Sequence, residues 1–276
     1  MLELGLYNEL RVKERVDHGF LLTDGEEDAF LPDHHANSDI VVGQNAHVFI
    51  FLNKENRLQA TTQKPYACAG DFAFLKVVAE SPDGVYLDLG IDKDVFVPNR
   101  AQKRPMMKGG KHVVYLYIDD QTGKFLASSR LLDFVEEEDI DLEEGDEVSL
   151  LIAEETDLGY NAIIDNKYIG LLYRNEVFTE LRPGDVKKGW VKKVRIGNKI
   201  DLTLQSIGYS HIIDSKDGVL QELIDSGGTI PLGDKSNPVD IYDRFQLSKS
   251  AFKKIIGALY KERKITIGDH EIKLVD

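Results

Sequence analysis

The chain has 276 residues, is 42% hydrophobic and carries a formal net charge of −14. That length and composition suit a globular protein of two or more small domains, and the acidity argues against strong, indiscriminate binding of polyanions, which grows with each phosphate neutralised. The lone cysteine, Cys68, excludes an intrachain disulfide or a cysteine-based zinc cluster, and no apolar run approaches the ~20 residues of a membrane span.

The start, MLELGLYNEL, has no basic region followed by an apolar core, so no secretion signal is expected and the cytoplasm is the expected location. The charge is uneven. Residues 1–64, 65–131, 132–212 and 213–276 carry −5, +1, −9 and −1, and the run DFVEEEDIDLEEGDE, Asp133 to Glu147, supplies most of the excess.

Along the chain a pattern repeats. Gly19, Gly84 and Gly159 each open a β-prone run, GFLL, GVYL and GYNA. An apolar segment follows each: AFLPDHH from Ala29, VFVPNRA from Val95, GLLYRNE from Gly170. A second glycine comes next, Gly43, Gly109 or Gly184, at offsets of 24, 25 and 25. Strand-like runs follow (VFIFL from Val48, VYLYI from Val114, GWVKKV from Gly189), and then Arg57, Lys124 or Lys199 begins a last one. Five short β-prone runs per copy, separated by turn residues, predict three small closed barrels of the OB type. The domains are expected at 1–64, 65–131 and 142–212, with an acidic linker at 132–141.

Beyond Asp217 the period becomes helical. Val219, Leu220, Leu223 and Ile224 mark one helix; Val239, Ile241, Tyr242 and Phe245 mark a second. In LSKSAFKKIIGALYKERK, Ser248 is the expected N-cap, and Phe252, Ile255, Ile256 and Leu259 form an apolar face. ITIGDHEIKLV reads as a hairpin around Gly268 and Asp269. Three helices and a closing hairpin predict a winged helix at 213–276, giving a mainly β, multidomain chain with an α+β end.

These residues carry a resemblance. Gly184-Asp185 through Lys199-Ile-Asp-Leu-Thr-Leu204, and GVYLDLGIDKDVFVP from Gly84, resemble strands of the RNA-binding domain named after ribosomal protein S-one. The stretch DKSNPVDIYDRFQLSKSAFKKIIGALYKERKI, from Asp234, is similar to the bacterial conserved virulence factor B family. The resemblance implies RNA binding and a role in gene expression. That domain class places an aromatic on its second strand and a histidine at the end of its third. Copy two keeps Tyr86 but has Pro98; copy three has Asn161 and Tyr173; copy one has Leu21 and Pro32.

The most basic stretch is KKGWVKKVR, Lys187 to Arg195. Strand alternation turns Gly189 and Val191 inward and Trp190 and Lys192 outward. Phe49 and Tyr115 match Trp190, and Phe51 and Tyr117 match Lys192. The outward aromatics either stack on bases or pack one domain against the next. The candidate nucleic-acid contacts are Tyr86, Tyr115, Tyr173, Arg174, Lys188, Trp190, Lys192, Lys193 and Arg195, with Lys249, Lys253 and Lys254 on the last helix. Those last lysines otherwise form the solvated face of an amphipathic helix.

His34-His35 lacks the i, i+4 spacing of a helical metal site, and no metal or cofactor is expected. There is no phosphate-cradling glycine loop and no catalytic triad pattern, so catalysis and a small-molecule substrate are not expected. The expected partner is RNA, single-stranded or structured, with no membrane role. The alternatives are a scaffold on ribosome or polymerase, or a DNA-binding regulator working through the winged helix.

Overall fold

The computed structural model describes residues 1–53, 55–205, 216–245 and 247–275. They fall into two compact units, residues 1–135 and residues 136–276. The expected boundary at 212/213 lies outside the described residues.

Unit one holds two barrels. In the first, β1 (Tyr7–Val16), β2 (Gly19–Thr23), β3 (Asp28–Pro32), β4 (Asn45–Leu52) and β5 (Leu58–Thr61) close in the order β1-β2-β3-β5-β4. In the second, β6 (Phe72–Ser81), β7 (Gly84–Leu87), β8 (Val95–Pro98), β9 (Lys111–Ile118) and β10 (Phe125–Ser128) close in the same way.

The repeated glycines have structural causes. Gly19, Gly84 and Gly159 begin the second strand opposite the end of the third, at Pro32, Pro98 and Tyr173. A Cβ at these positions would lie 2.3, 2.1 and 2.0 Å from the carbonyl oxygens of Leu31, Val97 and Leu172, so no side chain fits. Gly43, Gly109 and Gly184 adopt φ of +88°, +87° and +95° in the turn before the fourth strand. Each donates its N–H to a first-strand carbonyl, on Val12, Val77 and Ile152, where that strand bulges. The bulge and the left-handed glycine together bend the long first strand around its barrel.

The first barrel encloses Leu10, Val12, Leu22, Leu31, Val48 and Ile50. Its outward Phe49 and Phe51 instead join the second barrel's cluster, which includes Leu75, Val77, Leu89 and Leu116. Phe49 is fully buried and meets Phe125 edge-on at 6.2 Å between ring centroids. In this copy the outward aromatics seal two barrels together.

Unit two begins inside the acidic run, at Glu136. The part of the run that lies in unit two packs on the third barrel. The Tyr168 hydroxyl donates to Asp141, Lys167 reaches Glu136 at 3.3 Å and Asp141 at 3.5 Å, and Ile140 and Leu142 pack on the third barrel's core. Apolar residues at alternate positions anchor the run while its carboxylates face water.

The third barrel is built from β11 (Glu147–Glu155), β12 (Gly159–Ile164), β13 (Tyr168–Tyr173), β14 (Val186–Arg195) and β15 (Lys199–Thr203). The C-terminal part contains α1 (Lys216–Asp225), β16 (Thr229–Ile230), α2 (Pro238–Phe245), α3 (Lys249–Lys261), β17 (Ile265–Ile267) and β18 (Ile272–Leu274). Ser248 caps α3 by accepting from the Ala251 N–H at 3.1 Å. Phe252, Ile256 and Leu259 are buried on Val219, Leu223, Ile241 and Phe245. The two-residue β16 completes a sheet in the order β16-β18-β17, and no run of alternating residues announces it in the sequence. Ile230, fully buried, is what it contributes. Phe178, beyond β13, packs on Tyr242 of α2 at 5.1 Å.

Phe49→Ala is expected to destabilise unit one by about 3–5 kcal/mol, the cost of deleting a buried ring whose cavity cannot collapse. Equilibrium urea unfolding followed by circular dichroism measures it.

Candidate nucleic-acid interface

What a basic strand on an acidic protein can reach depends on where its cations point. In β14, Gly189 and Val191 are buried, and Trp190 and Lys192 face outward. Gly189 makes room for the buried Leu150: a Cβ there would meet Leu150 Cδ1 at 2.3 Å and push it aside. The register then shifts between Val191 and Lys193. Without this bulge, alternation would turn Lys193 and Arg195 into the core. With it, Lys192 and Lys193 are both exposed, Lys193 stands opposite Asp201, and Arg195 stands opposite Lys199.

The bulge therefore gathers one surface on β13, β15 and β14. Trp190 pairs with Thr203; Leu171, on β13, pairs with Asp201. The Arg195 guanidinium donates to the Asp201 carboxylate at 2.7 and 2.6 Å and to the Tyr173 hydroxyl at 2.6 Å. The Asp201 side chain is only 10% exposed. A carboxylate that dry must be paired, so Arg195 is fixed beside it and held firmly protonated by its hydrogen bonds to Asp201. Arg195 also lies 5.6 Å from the Tyr173 ring centroid.

The remaining cations have looser partners. Lys188 pairs with Glu147 at 2.8 Å and sits 5.9 Å from the Trp190 ring. Lys192 pairs with Glu176 at 2.5 Å. Arg174 pairs with Glu155 at 2.9 Å and donates to the Thr156 carbonyl, beside the Tyr160 ring. Among the described residues, Lys193 has no carboxylate partner. Glu147, Glu155, Glu176 and Asp201 are the residues that strand-pattern reading misses. Their signal is faint: an acid between two core positions in KIDLT, acids at the two ends of β11, and one in the turn after β13.

The other candidates are dispersed. Tyr86 is exposed in the second barrel and lies on Phe96 at 4.9 Å. Tyr115 is not open for stacking: Phe72 lies 4.7 Å from its ring, and Phe134 stacks on it at 4.5 Å. Phe134 comes from the start of the acidic run and also meets Tyr117. On α3, Lys253 pairs with Asp234 at 2.9 Å, and Lys254 is exposed. Lys249, half-buried, and Lys254 have no carboxylate partner among the described residues. In unit one His35 Nε2 lies 2.9 Å from Asp92, whose carboxyl is lowered chiefly by that hydrogen bond.

Residues 217–274 match the model of the CvfB-like winged helix domain, and residues 4–63 match that of the S1 domain. By these matches the chain is similar to the CvfB proteins. The S1 match falls on the first copy, which has Leu21 and Pro32 at the positions of the usual aromatic and histidine. The relatives include the uncharacterized protein YitL of Bacillus subtilis, 29% identical over 93% of this chain and 88% of that protein. Conserved virulence factor B of Staphylococcus epidermidis is 26% identical over 86% of this chain and 82% of its own length. A solved multidomain protein with nucleic acid binding domains from Streptococcus pneumoniae aligns over 99% of this chain and 98% of its own, with 20% identity and a TM-score of 0.44. Both matched domains are nucleic-acid-binding types, and nucleic-acid binding is the function class they give this chain. No helix among the described residues is long and apolar enough to cross a membrane.

The Lys188–Glu147 pair, with side chains 63% and 54% exposed, is expected to contribute under about 1 kcal/mol. A double-mutant cycle of Lys188→Ala and Glu147→Ala in urea unfolding checks this. A small coupling energy means the lysine can leave its carboxylate for a phosphate at little cost.

Proposed function

We propose that this protein binds single-stranded RNA through the outward face of β13, β15 and β14, and that it regulates gene expression as a binding protein rather than an enzyme. One observation carries the reading: the β14 bulge sets Trp190, Lys192 and Lys193 side by side on a surface that Tyr173 and Arg195 extend. A base stacks on Trp190, and the lysines meet the flanking phosphates. Unpaired RNA suits this surface because its bases are free to stack on an aromatic, whereas those of a duplex are not.

The paired cations divide into two groups. Lys188 and Lys192 sit in exposed pairs and exchange glutamate for phosphate. Arg195 is tied to a nearly buried Asp201 and stays in place, so it orients Tyr173 and the bulge. The winged helix offers Lys249 and Lys254 as an accessory contact. Tyr86, with Phe96 beneath it, offers a further stacking position on the second barrel.

Trp190→Ala is expected to weaken binding of a fluorescent single-stranded RNA by about 1–3 kcal/mol, or roughly 5- to 150-fold, with little change in unfolding midpoint. Three phosphates on Lys188, Lys192 and Lys193 predict a slope of about −2 for log affinity against log salt. Anisotropy titrations at several salt concentrations, with duplex DNA as competitor and with Lys188→Glu/Lys192→Glu, test both. Retention of RNA by the double variant, or a preference for duplex DNA, overturns the assignment to this face. Absence of RNA binding by the intact protein would turn attention to a protein partner.

A further inference from the structure

We propose that His34, His35 and Asp92 form a divalent transition-metal site, best suited to zinc, that ties the first barrel to the second. The candidate ligand atoms of the three side chains lie within 4.8 Å of one another. The two histidines occupy the single turn Asp33–His35 that follows β3; Asp92 lies in the loop between β7 and β8. The sequence pair alone offers two adjacent imidazoles, and the fold supplies a carboxylate 57 residues further on.

Several features give the cluster the character of a built site. His35 is 3% exposed, and its Nε2 sits 2.9 Å from the Asp92 carboxylate. Its other nitrogen, Nδ1, is 3.2 Å from the Gln59 side-chain amide. As placed, the Gln59 Nε2 donates to Nδ1; a half-turn of the amide would present Oε1 to accept from Nδ1–H once His35 Nε2 binds a metal, the outer-shell partner that fixes the ring of a metal-bound histidine. Asp92 is positioned in turn by Gln63, which accepts the Asp92 N–H at 3.0 Å. His34 is exposed, and its ring lies 4.3 Å from that of His35.

The donor set is two imidazoles and one carboxylate, which suits Zn²⁺ and other late first-row ions and leaves a fourth position for water or an exogenous ligand. Tetrahedral bonds of about 2.0–2.2 Å require ligand atoms roughly 3.3 Å apart. The His35–Asp92 spacing needs only a slight opening, and His34, which is exposed, would turn inward to complete the set. Because the ligands come from both barrels of unit one, the ion would act as a cross-link over the apolar seam made by Phe49 and Phe51.

The test uses the full chain stripped with a chelator. Zn²⁺ is titrated calorimetrically, and Co²⁺ is followed by its visible absorption. One equivalent of tight binding is expected, with the bands of four-coordinate Co²⁺ and a raised thermal midpoint of unit one. His34→Ala and Asp92→Asn should each lower affinity by more than about tenfold, since even an outer-shell loss costs 10–100-fold. Both replace exposed side chains and should leave the circular dichroism unchanged. His270→Ala, on the winged-helix hairpin, should leave uptake unchanged. No uptake, or uptake that persists in His34→Ala and Asp92→Asn, overturns the proposal and leaves His35–Asp92 as a plain hydrogen bond across the seam.

Discussion

Each barrel depends on a short parallel contact between its third and fifth strands. Phe30 pairs with Gln59 in the first, Phe96 with Leu126 in the second, and Gly170 to Leu172 with Ile200 to Leu202 in the third. An open five-stranded sheet would leave two edges with unpaired amides; closure removes both and encloses a small core. Closure at this size demands close approach. In the third barrel a Cβ on Gly170 would lie 2.7 Å from Leu202, and the glycine opening each second strand touches a neighbouring carbonyl. The glycines are the points where the ring is drawn tight, and the first-strand bulges supply the bend.

Closure also fixes what the fourth strand presents to its surroundings, and one register position meets three fates. Phe49 is sealed against the second barrel. Tyr115 is covered by Phe134. Trp190 remains partly open, flanked by lysines. A barrel this small buries little apolar surface of its own and gains stability from a neighbour. The first two barrels spend their outward aromatics in that way. In the third, Phe178 meets Tyr242 of the helical part, and Trp190 of the fourth strand keeps partial exposure.

The acidity of the chain and the basic strand are parts of one arrangement. Glu147 and Glu176 hold Lys188 and Lys192 in exposed pairs, and Asp201 holds Arg195 in a drier one. Exposed pairs are weak and screened, so they restrain the lysines without committing them. The local field is consequently modest, which disfavours indiscriminate polyanion binding.

The sequence by itself determined the three-fold repeat, the barrel type and the helix-rich end. Glycine spacing, strand alternation and the Ser248 cap are local consequences of backbone geometry, visible without neighbours. It also placed Trp190 and Lys192 outward. What it left open depended on contacts between distant segments. The bulge that turns Lys193 and Arg195 outward is set by pairing with β15, and alternation alone points them inward. The covering of Tyr115 depends on Phe134, the docking of the acidic run on Tyr168 and Lys167, and β16 on an edge that only the folded sheet provides. The meeting of His34 and His35 with Asp92 is of the same kind. Two copies of the repeat must pack before those side chains become neighbours, and no spacing within either copy records it.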